Sequence, residues 1–392
     1  MKAFHRAAAG VPEADRLERA ARFIAHWESL WQLAKTACRF CCWVYAVFGV
    51  SGMLLIMYSA ERVTFLAIAN YAPPLLWLIP LMVLMPLALV VRGYAMLPLL
   101  IVSVFWWFCF AGWEFSDVRL KQGKDSDSLT LMTYNQGQAQ GHSLQPFLAT
   151  ISPDLVILQD ARGKPGYYRT HPAYARYYEV RDEGEFLLLS QHPVMTQARL
   201  TAAGFLSGDL TDVVYGVRWE IDWKGRSIAL YSIHFPSPRR YLGLAGMRSL
   251  VPEVVRWMGG ADSNANAYWQ WREQMAQELA RLLSNEPLPW IMAGDLNTPP
   301  RGFAYSHLAE VGRDLHKECG SGFGFTFPGD TRNPIAGGQP WLRLDYVFTD
   351  PIFWQGKWVQ PELGCRSQHR PLAAGLVFRG CNKQDDSIKV NP

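Results

Sequence analysis

The chain has 392 residues and a formal net charge of +4, with 49% hydrophobic and only 18% charged side chains. That is apolar for a wholly soluble protein, and the length suits about two domain-sized units. Seven cysteines exclude a disulfide framework: Cys38, Cys41, Cys42 and Cys109 fall in or beside apolar stretches, where cysteine is a small filler. Cys319, Cys365 and Cys381 leave room for one disulfide and show no zinc spacing.

In chain order, residues 13–35 are expected to form an amphipathic helix. Leu17, Ala21, Ile24 and Trp31 recur at helical spacing, with Arg16, Arg19 and Arg22 on other positions. Such a helix lies in a membrane interface or packs on a partner. Three stretches without Asp, Glu, Lys or Arg follow, 41–60, 64–91 and 93–113. Each approaches the ~20 residues that cross a bilayer, so transmembrane helices are expected near 41–60, 73–91 and 94–113. Three in succession weigh against a buried hairpin. Pro80, Pro86 and Pro98 lie inside the second and third, where transmembrane helices tolerate proline. A cleaved signal peptide fits poorly, because the first apolar run begins only near residue 41.

Basic residues in short loops orient such a chain. Residues 1–39 carry Lys2, Arg6, Arg16, Arg19, Arg22, Lys35 and Arg39 against four acids, and Arg92 lies between the second and third spans. Both segments are therefore expected in the cytoplasm, which puts everything after Trp113 outside. Arg119, Lys121 and Lys124 oppose this, but Glu114, Asp117, Asp125 and Asp127 accompany them.

The expected organisation is a cytoplasmic segment 1–40, a three-helix anchor 41–113, a linker 114–128, a catalytic domain 129–379 and a loose tail 380–392. Within the domain, strands are expected at 129–134, 155–158, 186–189, 213–221, 227–234, 290–293, 344–348 and 372–378, and helices at 144–150 and 271–283. Polar residues gather where these strands end: Thr133-Tyr134-Asn135, Leu158-Gln159-Asp160, Ser232-Ile233-His234-Phe235-Pro236, Gly294-Asp295-Leu296-Asn297, and Arg343-Leu344-Asp345-Tyr346 with Ser367-Gln368-His369-Arg370-Pro371. Loops held by a rigid sheet are where catalytic side chains sit. Carboxylate and amide oxygens suit Mg2+ or Mn2+, and histidines beside them suit phosphate binding or proton transfer.

In order and spacing these segments resemble the endonuclease/exonuclease/phosphatase superfamily. Gly184-Glu-Phe-Leu-Leu-Leu-Ser190 before His192-Pro193, and Gly322-Phe-Gly-Phe-Thr326, are further marks. The resemblance covers about 129–379 and implies an α+β fold, a four-layer αββα sandwich of two mixed sheets, here preceded by the three transmembrane helices. It implies that Asp295 aligns or deprotonates the attacking water and that Asn297 holds the scissile phosphate. Asn135 would position metal and phosphate. His234 and His369 would donate to phosphoryl oxygens, His369 oriented by Asp345. Asp160, Gln368 and Asn135 would face the divalent ion. Ser190 and Thr326 are expected, from the residues themselves, to be structural or at most to line the site. The anchor resembles that of a bacterial branch with the catalytic domain outside the inner (plasma) membrane.

Two positions depart from the family: Asp160 stands where it usually has Glu, and Gln368 where it has Asp. Such changes leave two alternatives open, a working site with altered metal preference and a non-catalytic domain. Residues 127–379 carry 24 basic and 24 acidic side chains. Proteins that hold long nucleic acid usually show a basic face, so a lipid-linked phosphate or pyrophosphate, or another small phosphoester, is favoured over DNA or RNA. A segment at 238–270, with Arg239, Arg240, Arg248, Arg256, Trp257, Tyr268 and Trp269, is expected as a lid, a membrane-facing rim or a packed surface loop.

Overall fold

The computed structural model describes residues 13–115, 127–137, 143–204, 212–238, 263–329, 339–363 and 367–380. Among them are twelve strands: β1 (Ser128–Asn135), β2 (Leu155–Gln159), β3 (Glu179–Glu183), β4 (Phe186–Ser190), β5 (Val194–Ala202), β6 (Val213–Trp223), β7 (Arg226–His234), β8 (Trp290–Asp295), β9 (Arg313–Asp314), β10 (Asp345–Thr349), β11 (Trp354–Pro361) and β12 (Leu372–Phe378). They form two six-stranded sheets, ordered β11-β12-β1-β2-β4-β3 and β5-β6-β7-β8-β10-β9.

Strand periodicity decides how the sheets stack, because successive side chains point to opposite faces. In β7, Ile228 and Leu230 join a core with Leu129, Leu131, Ile157 and Leu188 of the other sheet. Ala229, Tyr231 and Ile233 point the other way, onto Met275, Leu279 and Leu308 of helices Ser263–Ser284 and Phe303–Val311. The first sheet likewise packs its outer face on helices Gln145–Ile151 and Pro165–Thr170. The result is the expected four-layer αββα sandwich.

Each sheet is antiparallel except at one central pair, β1 with β2 and β7 with β8. Those parallel pairs align Asn135 with Gln159 and His234 with Asp295, so each brings its carboxyl ends together. β8 can lie this close to β7 only because residue 294 is glycine. A Cβ there would sit 2.0 Å from the Ile233 carbonyl oxygen, and its φ is +143°.

The chain divides into two compact units, Met1–Met53 with Leu75–Trp107, and Leu54–Pro74 with Phe108–Pro392. Three helices, Asp15–Arg62, Pro74–Val91 and Gly93–Phe110, are long and apolar enough to cross a membrane. The expected amphipathic helix 13–35 and first span form one helix, Glu13–Ser59. No glycine or proline stands between 13 and 48 to break it. Segment 54–74, expected within the anchor, groups with the sandwich: Ala67 and Tyr71 bury against Tyr268, Trp269, Leu342 and Leu344. Tyr268 and Trp269 are thus core residues, whereas 239–262 of the same expected lid, most of the linker and the tail from 381 lie outside the described residues.

Candidate active site

The carboxyl ends of the parallel pairs open into a cleft of about 1000 Å3 lined by Asn135, Asp160, His234, Asp295, Asn297, Gln368 and His369. Asp345 stands behind His369. The structure therefore brings together all eight residues singled out in the sequence.

At the centre is Asp295, fully buried at the end of β8. Its Oδ2 accepts from Asn135 Nδ2 at 2.8 Å and Asn297 Nδ2 at 3.2 Å. The same oxygen lies 3.5 Å from His369 Nε2 and 3.7 Å from His234 Nε2. Four donor groups from four segments thus face one carboxylate oxygen. Its Oδ1 accepts from the Asn297 backbone N–H at 2.7 Å, a local turn that Asp forms readily. Asn297 has φ +48° and Asp160 φ +54°. The left-handed region is tolerated best by Asn and Asp among residues with a side chain; strain of this kind clusters at functional sites.

His369 Nδ1 meets Asp345 Oδ2 at 2.8 Å. Burial works against the imidazolium, but the Asp345 and Asp295 charges outweigh it and raise the His369 pKa. Thr326 Oγ1 accepts from the backbone N–H groups of Leu344 and Asp345, the structural role expected of it. Ser190 is structural too, its hydroxyl closing a turn with His192. Beneath the cleft Gln159 Nε2 donates to Thr133 at 3.1 Å and to Ser232 at 3.0 Å, tying the two sheets together.

A second cluster lines the mouth. Asp160, Glu185 and His234 place one ligand-type atom each within 4.8 Å of the others. Glu185 Oε1 meets His234 Nδ1 at 2.8 Å. Burial tends to lower His234, but the Glu185 hydrogen bond and the charges of Asp295, Glu185 and Asp160 raise it to about 9. Burial raises Asp160, and adjacent Glu185 and Asp295 add to that while His234 opposes it. Two carboxyls pressed together with a third near by are a poor arrangement for three anions and a good one for a divalent cation. The donor set fits hard metals. Gln368 is exposed on the cleft wall.

Sequence reasoning missed Glu185. It stands inside the quoted Gly184–Ser190 mark, and the available signal was an acid directly after a glycine at a hairpin mouth, with φ +62° at Gly184. It also missed the support of the Asn297 loop. Tyr71 Oη donates to Asn297 O at 2.7 Å, and Arg272 Nη2 donates to Leu296 O at 2.9 Å and Asn297 O at 2.8 Å. Glu61 accepts from Thr298 Oγ1 and from Ala304 N. These bonds join positions more than two hundred residues apart for Glu61 and Tyr71, a separation no local pattern announces.

The profile of the Endonuclease/Exonuclease/phosphatase family matches residues 132–369. No curated protein sequence matches the chain. Among solved structures, an endonuclease/exonuclease/phosphatase family protein from Bacteroides thetaiotaomicron is similar at 13% identity, TM-score 0.45, covering 64% of this chain and 98% of that one. A mannosyl-6-phosphatase of the same species is similar at 14% identity, TM-score 0.45, with 64% and 100% covered. Sphingomyelinase C from Streptomyces griseocarneus gives 15% identity, TM-score 0.42, with 63% and 99% covered.

Proposed function

From the chain's membership of the endonuclease/exonuclease/phosphatase family, a family of phosphoester hydrolases, we propose that the protein is a membrane-anchored, divalent-metal-dependent phosphoesterase whose substrate is a lipid-linked phosphate or another small phosphoester. The observation that carries this reading is the convergence of Asn135, Asn297, His234 and His369 on one oxygen of buried Asp295.

That oxygen takes the proton of the attacking water, and the donors around it hold the carboxylate in place. When a phosphoester enters, the Nε2 atoms of His234 and His369 and the amide nitrogen of Asn135 are positioned to donate to phosphoryl oxygens, where negative charge grows in the transition state, while Asn297, whose two amide hydrogens go to Phe235 O and Asp295 Oδ2, aims the carboxylate. Asp345 holds His369 through Nδ1 and Glu185 holds His234 through Nδ1, so both rings present Nε2 to the cleft. Asp160 and Glu185 would hold the metal, with Asn135 and Gln368 beside them. Bound there, Mg2+ or Mn2+ supplies Lewis-acid polarisation of the phosphoryl group.

The contacts of Glu61 and Tyr71 with the Asn297 loop fit a three-crossing chain, in which the loop after the first span and the domain after the third share one side. The basic N-terminus favours the side outside the cytoplasm. A reporter fused after Phe378 is expected to be active only as an exported domain; cytoplasmic activity would reverse the orientation.

The test is hydrolysis by the full-length detergent-solubilised protein of three substrates with Mn2+: solubilised lipid phosphates, bis-p-nitrophenyl phosphate and plasmid DNA. Lipid phosphate or the small diester is expected to be cleaved faster than DNA. Faster cleavage of DNA would make the protein a nuclease. No cleavage of any of them, together with no Mn2+ binding in a calorimetric titration, would favour a non-catalytic phosphate-binding module.

A further inference from the structure

The second unit holds another cavity, of about 460 Å3, that shares no lining residue with the cleft. One wall is apolar. Met57, Phe108 and Phe110 belong to the ends of two helices long enough to cross a membrane. Phe323 and Phe325 stack at 5.0 Å beside them.

The lining also carries charge, with Arg301, Lys317, Arg343 and Glu114, and the Arg301 guanidinium lies over the Phe110 ring at 4.4 Å. Arg343 is matched by Asp314, with two bonds of 2.9 and 2.7 Å. Lys317 and Arg343 are the cations whose charges act on Glu114. Arg301 has no carboxylate partner among the described residues. Its Nε donates to Asn70 Oδ1 at 2.8 Å, its Nη1 to Phe110 O at 2.6 Å and its Nη2 to Asn70 O at 3.0 Å. Three neutral acceptors leave two of the five guanidinium N–H groups without a protein acceptor among the described residues. Asn70, fully buried, has an Nδ2 with no hydrogen-bond partner among the described residues. Burial lowers Arg301 to about 10, which still leaves it cationic at neutral pH. A partly buried cation lining the cavity with spare donors is completed by an oxyanion that accepts from them.

We propose that this cavity binds an anionic amphiphile, a lipid whose phosphate-type headgroup sits on Arg301 and whose apolar part runs along Phe108, Phe110 and Phe323. The span residues in the apolar wall supply the argument for a lipid, because lipid is the medium at the ends of membrane-crossing helices. The proposal does not depend on hydrolysis in the cleft.

The test uses native mass spectrometry of the full-length protein in detergent, titrated with short-chain phosphatidylglycerol, the matching phosphatidylcholine and inorganic phosphate. Phosphatidylglycerol is expected to bind at least about tenfold tighter than the other two, the scale of one charge-assisted contact. Arg301→Gln should lose about tenfold or more of that affinity. Ser306→Trp, which fills the cavity and keeps the cation, should lose it too, and decides the matter alone if Arg301→Gln does not fold. Mn2+ binding at the cleft should survive in both and shows that they are folded. Equal binding of the two lipids, or wild-type phosphatidylglycerol binding in Mn2+-competent variants, would overturn the proposal. Free phosphate binding as tightly as the lipid would overturn its lipid part.

Discussion

Two clusters of like composition meet in the cleft, each with two acids and one histidine, and they differ in burial. Asp295, Asp345 and His369 are buried, whereas Asp160, Glu185 and His234 are only partly buried. In the buried cluster protein partners surround the reactive oxygen, so a change in one member has nothing to compensate it. At the mouth, solvent and an exchangeable ion can take up a change. That is where Asp160 and Gln368 stand, the two positions expected from the sequence to depart from the family, and where Glu185 adds a carboxylate. On the proposed reading the buried cluster supplies fixed acid–base geometry and the open one holds a metal whose ligands can shift.

The sharpest way to break this contrast is Asp295→Asn. It keeps the size of the side chain and removes the base, so phosphoester hydrolysis should fall by about 10²–10⁴-fold with an unchanged melting curve; wild-type rates would show that Asp295 is not in the reaction.

A third imidazole tests what burial does without a net carboxylate. His316 is packed under Gly320 and Gly324 and donates through Nε2 to Gly322 O. Burial, and after it the Arg343 charge, push it down to about 4, the opposite of His234. The unfolded chain takes up this proton near pH 6.5, and the folded chain only near 4. Stability should therefore fall as pH drops between those values, by about 3 kcal/mol from this group. Denaturant unfolding at pH 7 and pH 4.5 checks it. His316→Gln should flatten the slope, and an unchanged slope would mean that other groups carry the acid sensitivity.

At the mouth, Glu185→Gln removes one charge next to the ion, and calorimetric Mn2+ titration of the full-length protein should show about tenfold weaker binding or more. Gln368→Asp adds a charge on the same wall and should tighten Mn2+ binding by a smaller factor, about threefold to tenfold. An unaltered affinity in either variant would place that side chain away from the metal.

The sequence pattern and the structure agree best at the centre of each sheet. All eight expected strands are present. The four unforeseen ones, β3, β5, β9 and β11, are the four sheet edges. An edge strand has one hydrogen-bonded neighbour and often one solvated face. β5 exposes Met195, Thr196, Gln197, Ala198 and Arg199 in succession, and β3 reads Glu-Val-Arg-Asp-Glu, so neither has the apolar alternation that marks a strand. Charge at an edge also discourages pairing with other chains. The cleft residues were visible because motif order places them at strand ends. Glu61, Tyr71 and Arg272 were not, because an acid and a tyrosine between two apolar spans look like an ordinary short loop until the fold brings Asn297 to them.

On the proposed reading Asp295 performs the chemistry, and Asp160 and Glu185 hold the metal. Hydrolysis of bis-p-nitrophenyl phosphate by the full-length protein, followed across Mn2+ concentrations for wild type, Glu185→Gln and Asp295→Asn, tests it most directly. No hydrolysis is expected in chelator. Glu185→Gln should need about tenfold more Mn2+ and then recover most of the wild-type rate, while Asp295→Asn should stay near the floor at every concentration. Hydrolysis that persists in chelator, or an Asp295→Asn variant that added Mn2+ restores, would contradict the account.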